Sequence, residues 1–253
     1  MPEAGHARQC AAGLAAAANR VSLSPMETTS PAISRSLFVL SLLYGGMVCI
    51  AGVLGNKLVS LGPISTLGPM VGLGPLAVEA GIFAFLLLVA ISSAVAEVHG
   101  GQTANRLVRI GFVPLLTSMA LIELVLHLPA GGGMDPGRLA AFETILGQSA
   151  RMMLAGLIAY GTSQTLNVTI FSALKGKEGS KLLWLRAAIA SVLSQVVDTL
   201  LFITISFYGI FPIGGLMVGQ MATKIVLSVV LVPVLIYLFV AIAKRLDGKP
   251  AAA

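Results

Sequence analysis

Along the chain, long apolar runs alternate with short breaks rich in turn residues. Six runs stand out, at about residues 36–58, 76–97, 107–128, 147–172, 184–208 and 217–243. Each is near the roughly 20 residues an α-helix needs to cross a bilayer's hydrocarbon core. The breaks include "LGPISTLGPMVGLGP" after the first run, the short "EVHGGQTANR" after the second and "PAGGGMDPGR" after the third. The runs are too long for barrel strands and do not alternate with period two. The pattern therefore predicts an all-α membrane protein of six transmembrane helices. It divides the chain into a disordered tail over 1–35, a transmembrane domain over 36–245 and a short tail over 246–253. Translation from Met26 is an alternative start within the first tail.

Composition agrees with this pattern. Hydrophobic residues make up 57% and charged residues 10%, where a soluble domain carries about 25% charged. Mean hydropathy is +0.95 and the isoelectric point about 9.6. The basic balance does not indicate a nucleic-acid partner, because the basic residues sit between apolar segments and form no face. It follows instead the rule that Lys and Arg gather on the cytoplasmic side. With the N-terminus inside, twelve of the 16 basic residues fall on that side. These are Arg8, Arg20 and Arg35, then Arg106 and Arg109, then Lys175, Lys177, Lys181 and Arg186, then Lys244, Arg245 and Lys249. Lys57 and Arg138 fall outside, and Arg151 and Lys224 lie within spans. Both termini are thus expected to be cytoplasmic. Cys10 and Cys49 fit no metal-ligand spacing. No phosphate-binding GxxxxGK[ST], HExxH, CxxC or GxSxG motif occurs, so no enzyme and no cofactor is expected.

The chemistry is expected where polar groups interrupt the spans. The fifth span contains "SVLSQVVDTLLFITISFYG", with Asp198 near its middle. A carboxylate at that depth costs on the order of 3 kcal/mol on insertion scales. Gln195, Asp198, Thr199 and Phe202 follow i, i+3, i+4, i+7 spacing and share one helix face. Gln220, Lys224 and Ser228 form a stripe on the sixth span, and Tyr160, Gln164 and Asn167 another on the fourth. Asn56 and Lys57 end the first span, Glu97 and His99 the second, and Arg151 begins the fourth. Asp198 paired with Lys224 or Arg151 would tie helices together, a role worth only about 0.6 kcal/mol on average. Facing stripes of charged groups and amides point rather to a wet cavity. Glu79 and Glu143 are expected near the water interface. Carboxylate and amide on one face suit a planar, donor-rich edge such as guanine's, with Phe202 or Tyr208 stacking on the ring. A cationic amine or a vitamin would fit a carboxylate too.

Four segments resemble one family. "AEVHGGQTANRLVRIGF" is similar to the E-x-Y-G…A-R loop of the VUT-type queuosine precursor transporters, and "SQVVDTLLFITISFYG" to their Q-x-x-D-T-x-x-F helix. "GQMATKIVLSVVLVPVLIY" resembles their last span and "GNKL" the end of their first. The similarity runs over roughly 36–245. It implies a multi-pass protein of the bacterial inner membrane that takes up 7-cyano-7-deazaguanine and 7-aminomethyl-7-deazaguanine for queuosine modification of tRNA, without contacting tRNA. The family-type positions are Asn56, Lys57, Glu97, Arg109, Gln195, Asp198 and Lys224, with Arg151 matching an Arg at the start of the fourth helix. Two positions depart from the pattern. Ser93 stands where many members carry an acid, and His99 replaces the Tyr of E-x-Y-G.

The expected partners are thus a purine-like small molecule and the lipid bilayer, and a homo-oligomer is compatible with the sequence. Asp198 and Gln195 would hold the base's donor edge, while Arg151, Lys224 and Asn56 would satisfy its carbonyl or balance Asp198. Phe202 would stack on the ring. Glu97 is a candidate proton site or gate, with "EVHGG" and "PISTLGPMVGLGP" as gating loops. The alternative is the substrate-binding subunit of an importer driven by a separate ATPase.

Overall fold

A computed structural model describes residues 33–60, 65, 77–147, 150–175, 182–210 and 212–248. The predicted tail up to residue 32, the Met26 start and residues 249–253 lie outside the described residues. So do Gln148, Lys177, Lys181 and, apart from Ser65, the proposed gate "PISTLGPMVGLGP".

Seven helices and one two-stranded hairpin are present among the described residues. Six helices are long, at 19 to 33 residues. They are α1 (Arg35–Gly55), α2 (Gly81–His99), α3 (Gly101–Leu126), α5 (Ala150–Ala173), α6 (Leu183–Phe207) and α7 (Gly214–Leu246). The short α4 is Pro136–Leu146. All the long helices except α5 are long and apolar enough to cross a membrane. α5 has the length, but it carries Arg151 and the polar run from Tyr160 to Asn167. The chain is therefore an all-α membrane protein in its main architecture.

Three boundaries differ from the sequence reading. The second run begins as a strand rather than a helix. β1 (Leu58–Ser60) pairs antiparallel with β2 (Ala77–Glu79), and the helix starts only at Gly81. The break "EVHGGQTANR" is not a loop. α2 continues to His99 and α3 starts at Gly101, with Gly100 alone between them at φ 87°. That backbone conformation carries little penalty only for glycine. The third break holds α4, whose N-cap Asp135 accepts from the Arg138 amide at 2.9 Å and whose first residue is Pro136. An acidic cap followed by Pro is a helix-start signal that the apolar-run reading passed over.

α2 is the central element. Of its most apolar stretch 67% is buried, against 11% in α3. Its "AISSAVA" run is wholly buried, and such small side chains let neighbouring helices approach closely. The outer helices turn large apolar side chains outward, among them Phe38, Leu42, Val113, Leu121 and Val234. A bilayer would cover these.

Polar contacts gather the helix ends into two groups. At one end Ser36 of α1 meets His99 of α2, at 2.7 Å between Oγ and Nε2. Its hydroxyl donates to Asp247 Oδ2, also at 2.7 Å. Beside them Glu97 accepts from Arg186 Nη1 at 2.9 Å and lies 3.4 Å from Lys175 Nζ. Arg186 is itself buried, donates to the Phe171 carbonyl and lies over that residue's ring. This basic end is tightly tied. The opposite end contains a cavity.

Candidate functional site

The cavity has a volume of about 220 Å³ and lies in the halves of the helices away from the basic end. α1, α2, α3, α5, α6 and α7 all contribute to its wall. Most of that wall is apolar. Its polar groups include Asn56, Glu79, Tyr160, Asp198 and Lys224. An apolar cleft with a few convergent polar groups is the usual form of a small-molecule site.

Asp198 is 7% exposed and Lys224 5%. Lys224 Nζ lies 3.3 Å from Asp198 Oδ2, and Ser163 Oγ donates to Oδ1 at 3.2 Å. Three helices thus meet at one carboxylate. α6 presents it, α7 supplies its counter-charge and α5 supplies a hydroxyl. Of the two partners the sequence offered for Asp198, Lys224 and Arg151, it is Lys224 that it meets. Ser163 was missed, although it lies on the same face of α5 as Tyr160, Gln164 and Asn167, all four at i, i+3, i+4, i+7 spacing.

Phe202 lies one turn beyond Asp198 on the cavity wall, edge-on to Phe207 at 6.4 Å between ring centroids. Asn56 caps α1 and lines the cavity, with its side-chain amide donating back to the Val53 carbonyl at 3.2 Å. Lys57 next to it is exposed. Tyr160 borders the cavity and shares a 3.0 Å hydroxyl contact with Tyr44.

Three predicted residues lie elsewhere. Gln195 is wholly buried one turn from Asp198, toward the basic end. Neither atom of its amide has a hydrogen-bond partner among the described residues. Arg151 does not meet Asp198. Its guanidinium donates to the backbone carbonyls of Ile205 and, at 2.7 Å, Tyr208, where it caps the end of α6. Cations are favoured at helix C-termini. Glu97 belongs to the basic-end cluster.

Glu79, expected near the water interface, is a partly buried group of the cavity wall. The hairpin places it there, since β2 ends at Glu79 just before α2 begins. Gln220 Nε2 donates to Glu79 Oε1 at 3.4 Å, while the buried Gln220 Oε1 has no partner among the described residues. Glu79 lies outside the spanning helices, and burial raises its pKa above the usual carboxylate value. The charge of Lys224 and the hydrogen bond from Gln220 oppose the shift, and Asp198 adds to it.

Between the cavity and the basic end runs a buried polar belt. Ser92 donates to Gln164 Oε1 at 3.3 Å, and Asn167 Nδ2 donates to Ser93 Oγ at 3.1 Å. Ser93, where the resembled family often has an acid, is thus an acceptor for an amide. Gln164 Nε2, Asn167 Oδ1, Ser191 Oγ, Thr199 Oγ1 and Ser228 Oγ are buried without partners among the described residues. Native interiors leave few such atoms unpaired. No group of three or more metal-ligating side chains exists among the described residues.

Residues 79–238 match the model of a family described as "Putative vitamin uptake transporter". The match covers Glu79, Glu97, Asp198 and Lys224 but not Asn56. The chain is 36% identical over 118 residues to a "Probable queuosine precursor transporter" of Bacillus subtilis (strain 168), covering 46% of this chain and 50% of that one. It is 28% identical over 174 residues to a "Queuosine precursor transporter" of Escherichia coli (strain K12), covering 69% and 70%. The aligned part thus spans half the length of the Bacillus protein. No solved structure matches.

Proposed function

The chain belongs to the vitamin uptake transporter family that includes queuosine precursor transporters, and on that premise we propose that it imports 7-deazaguanine precursors of queuosine across the bacterial inner membrane. The observation that carries this reading is the Asp198 carboxylate, paired with Lys224 on the wall of an apolar cavity. A carboxylate accepts two parallel N–H bonds, which matches the ring N–H and exocyclic amine of a deazaguanine. Lys224 and Asn56 would serve the ring carbonyl, and Phe202 would stack on the base, since all three line the cavity. The volume is below the ~300–1,000 Å³ of drug-sized sites, which suits one small bicyclic molecule.

The six long helices are taken as six spans with the basic end in the cytoplasm. Positive charge marks that side, and Arg106, Lys175, Arg186 and Arg245 all lie there. The cavity then faces outward, while the Ser36–His99–Asp247 and Glu97–Arg186–Lys175 contacts close the inner side. Inward release requires those contacts to part and the polar belt to open. Gln195 would reach the base in that second state.

The test is queuosine in tRNA. The host is a bacterium that neither makes nor imports the precursor, fed nanomolar 7-cyano-7-deazaguanine. Expression of this chain is expected to restore queuosine, and its Asp198→Ala variant is expected not to. No restoration by either, with both proteins in the membrane, would point to another ligand or to a missing ATPase partner.

A further inference from the structure

The cavity holds two carboxylates and one ammonium. Lys224 neutralises Asp198. Among the described residues Glu79 has the Gln220 amide as its hydrogen-bond partner. The other groups around it do not balance its charge. Leu58 is its partner across the hairpin, and Lys57 next to that strand is exposed. Asn56 and Tyr160 are neutral. Arg151 is held by the carbonyls at the end of α6. A neutral base leaves the loaded cavity with a surplus negative charge. Carrying that charge through a low-dielectric barrier is costly.

Gln220 fits both protonation states of its neighbour. Its Nε2 donates to the carboxylate now, and its Oε1 is buried without a partner among the described residues. Amide nitrogen and oxygen exchange places by a flip. A protonated Glu79 would then donate its O–H to Oε1, so each state of the carboxyl keeps one hydrogen bond to Gln220. Glu79 also stays partly exposed at the cavity, within reach of water.

We propose that Glu79 is the proton-coupling carboxylate of this transporter, taking one proton from the outer side as the base binds and releasing it to the cytoplasm after the base has left. The inference rests on the transport reading above and adds the coupling ion to it. The acid moved is the Glu79 carboxyl. The proton comes from outside water and goes to inside water, so no other co-reactant is needed.

The experiment uses the full chain in proteoliposomes with 7-cyano-7-deazaguanine as probe and the membrane potential clamped. Two quantities are read, namely exchange of labelled base at equal pH and accumulation under an acid-outside gradient. A pH dye inside the vesicles reports proton entry. The wild type is expected to accumulate base about tenfold per pH unit of gradient and to acidify the lumen only when base is present. Glu79→Gln is expected to keep exchange within a few-fold, to accumulate no base above equilibrium and to bring in no protons. Wild-type exchange without base-dependent acidification would overturn the inference while leaving the transport reading intact. Gradient-driven accumulation by Glu79→Gln, or loss of its exchange, would overturn it as well. A wild type that exchanges no base at all would instead overturn the transport reading on which the inference stands. Where the variant does not fold, wild-type exchange without base-dependent acidification still overturns the inference.

Discussion

Asp198 and Lys224 are each almost fully buried, so neither tolerates loss of the other. Removing one member of a buried ion pair strands the remaining charge, at about 3–5 kcal/mol. Lys224→Met and Asp198→Ala should therefore each lower the melting temperature in detergent. The double variant Asp198→Asn/Lys224→Met should recover most of that loss and still transport nothing. Recovery of both stability and uptake would mean that the pair only ties helices. Gln195 makes the opposite case. Its amide, without a partner among the described residues, is a burden of about 1–3 kcal/mol in the present state. Gln195→Leu should hold or raise the melting temperature and cut uptake at least tenfold. A fall in both would make Gln195 a structural residue. Both stripes were legible in the sequence because charged residues at helical spacing have few other uses in an apolar run. Glu79 was not, because its position depends on a hairpin formed across a Gly- and Pro-rich break.

At the scale of elements, the long helices were readable because a span's length is set by the bilayer. Their ends were less readable. Hydropathy falls at the interface, but a helix need not stop there, and α3 runs through the polar "QTANR" because Gly100 alone makes the turn. Three-residue strands and an 11-residue helix leave no apolar run to count. Helix contacts fix other positions. Gly111 of α3 lies under the Tyr160 hydroxyl, and a Cβ there would also come within 2.9 Å of the Tyr44 ring. These two rings join α1 to α5 through their hydroxyls. Gly111→Val should push them apart and destabilise the protein by about 1–3 kcal/mol, the usual effect of overpacking, while Gly46→Ala, with open space around it, should be nearly silent. Thermal melts of the two variants side by side test this.

For the molecule as a whole, one end is tied by ion pairs and hydrogen bonds while the opposite end holds the cavity, which the proposed transport cycle takes as one of two states. That asymmetry was not legible in the sequence, because charge counting assigns sides but not which side holds the cavity. A native probe lies in the cavity wall. Cys49 of α1 is a free thiol, partly exposed, with a 3.6 Å contact to the Pro114 carbonyl. In a Cys10→Ser background, an impermeant maleimide applied from the outer face should label Cys49. The same reagent applied to inside-out vesicles should label it far more slowly. Added 7-cyano-7-deazaguanine should slow outer labelling several-fold, because a bound base fills the cavity that the reagent must enter. Asp198→Ala should keep the labelling and lose the protection, since it removes the group that holds the base and leaves the opening in place. Labelling only from the inner face would reverse the assigned orientation. Labelling from outside without protection would place the base elsewhere in the molecule. Only outer labelling with Asp198-dependent protection agrees with one outward-open site built around the ion pair.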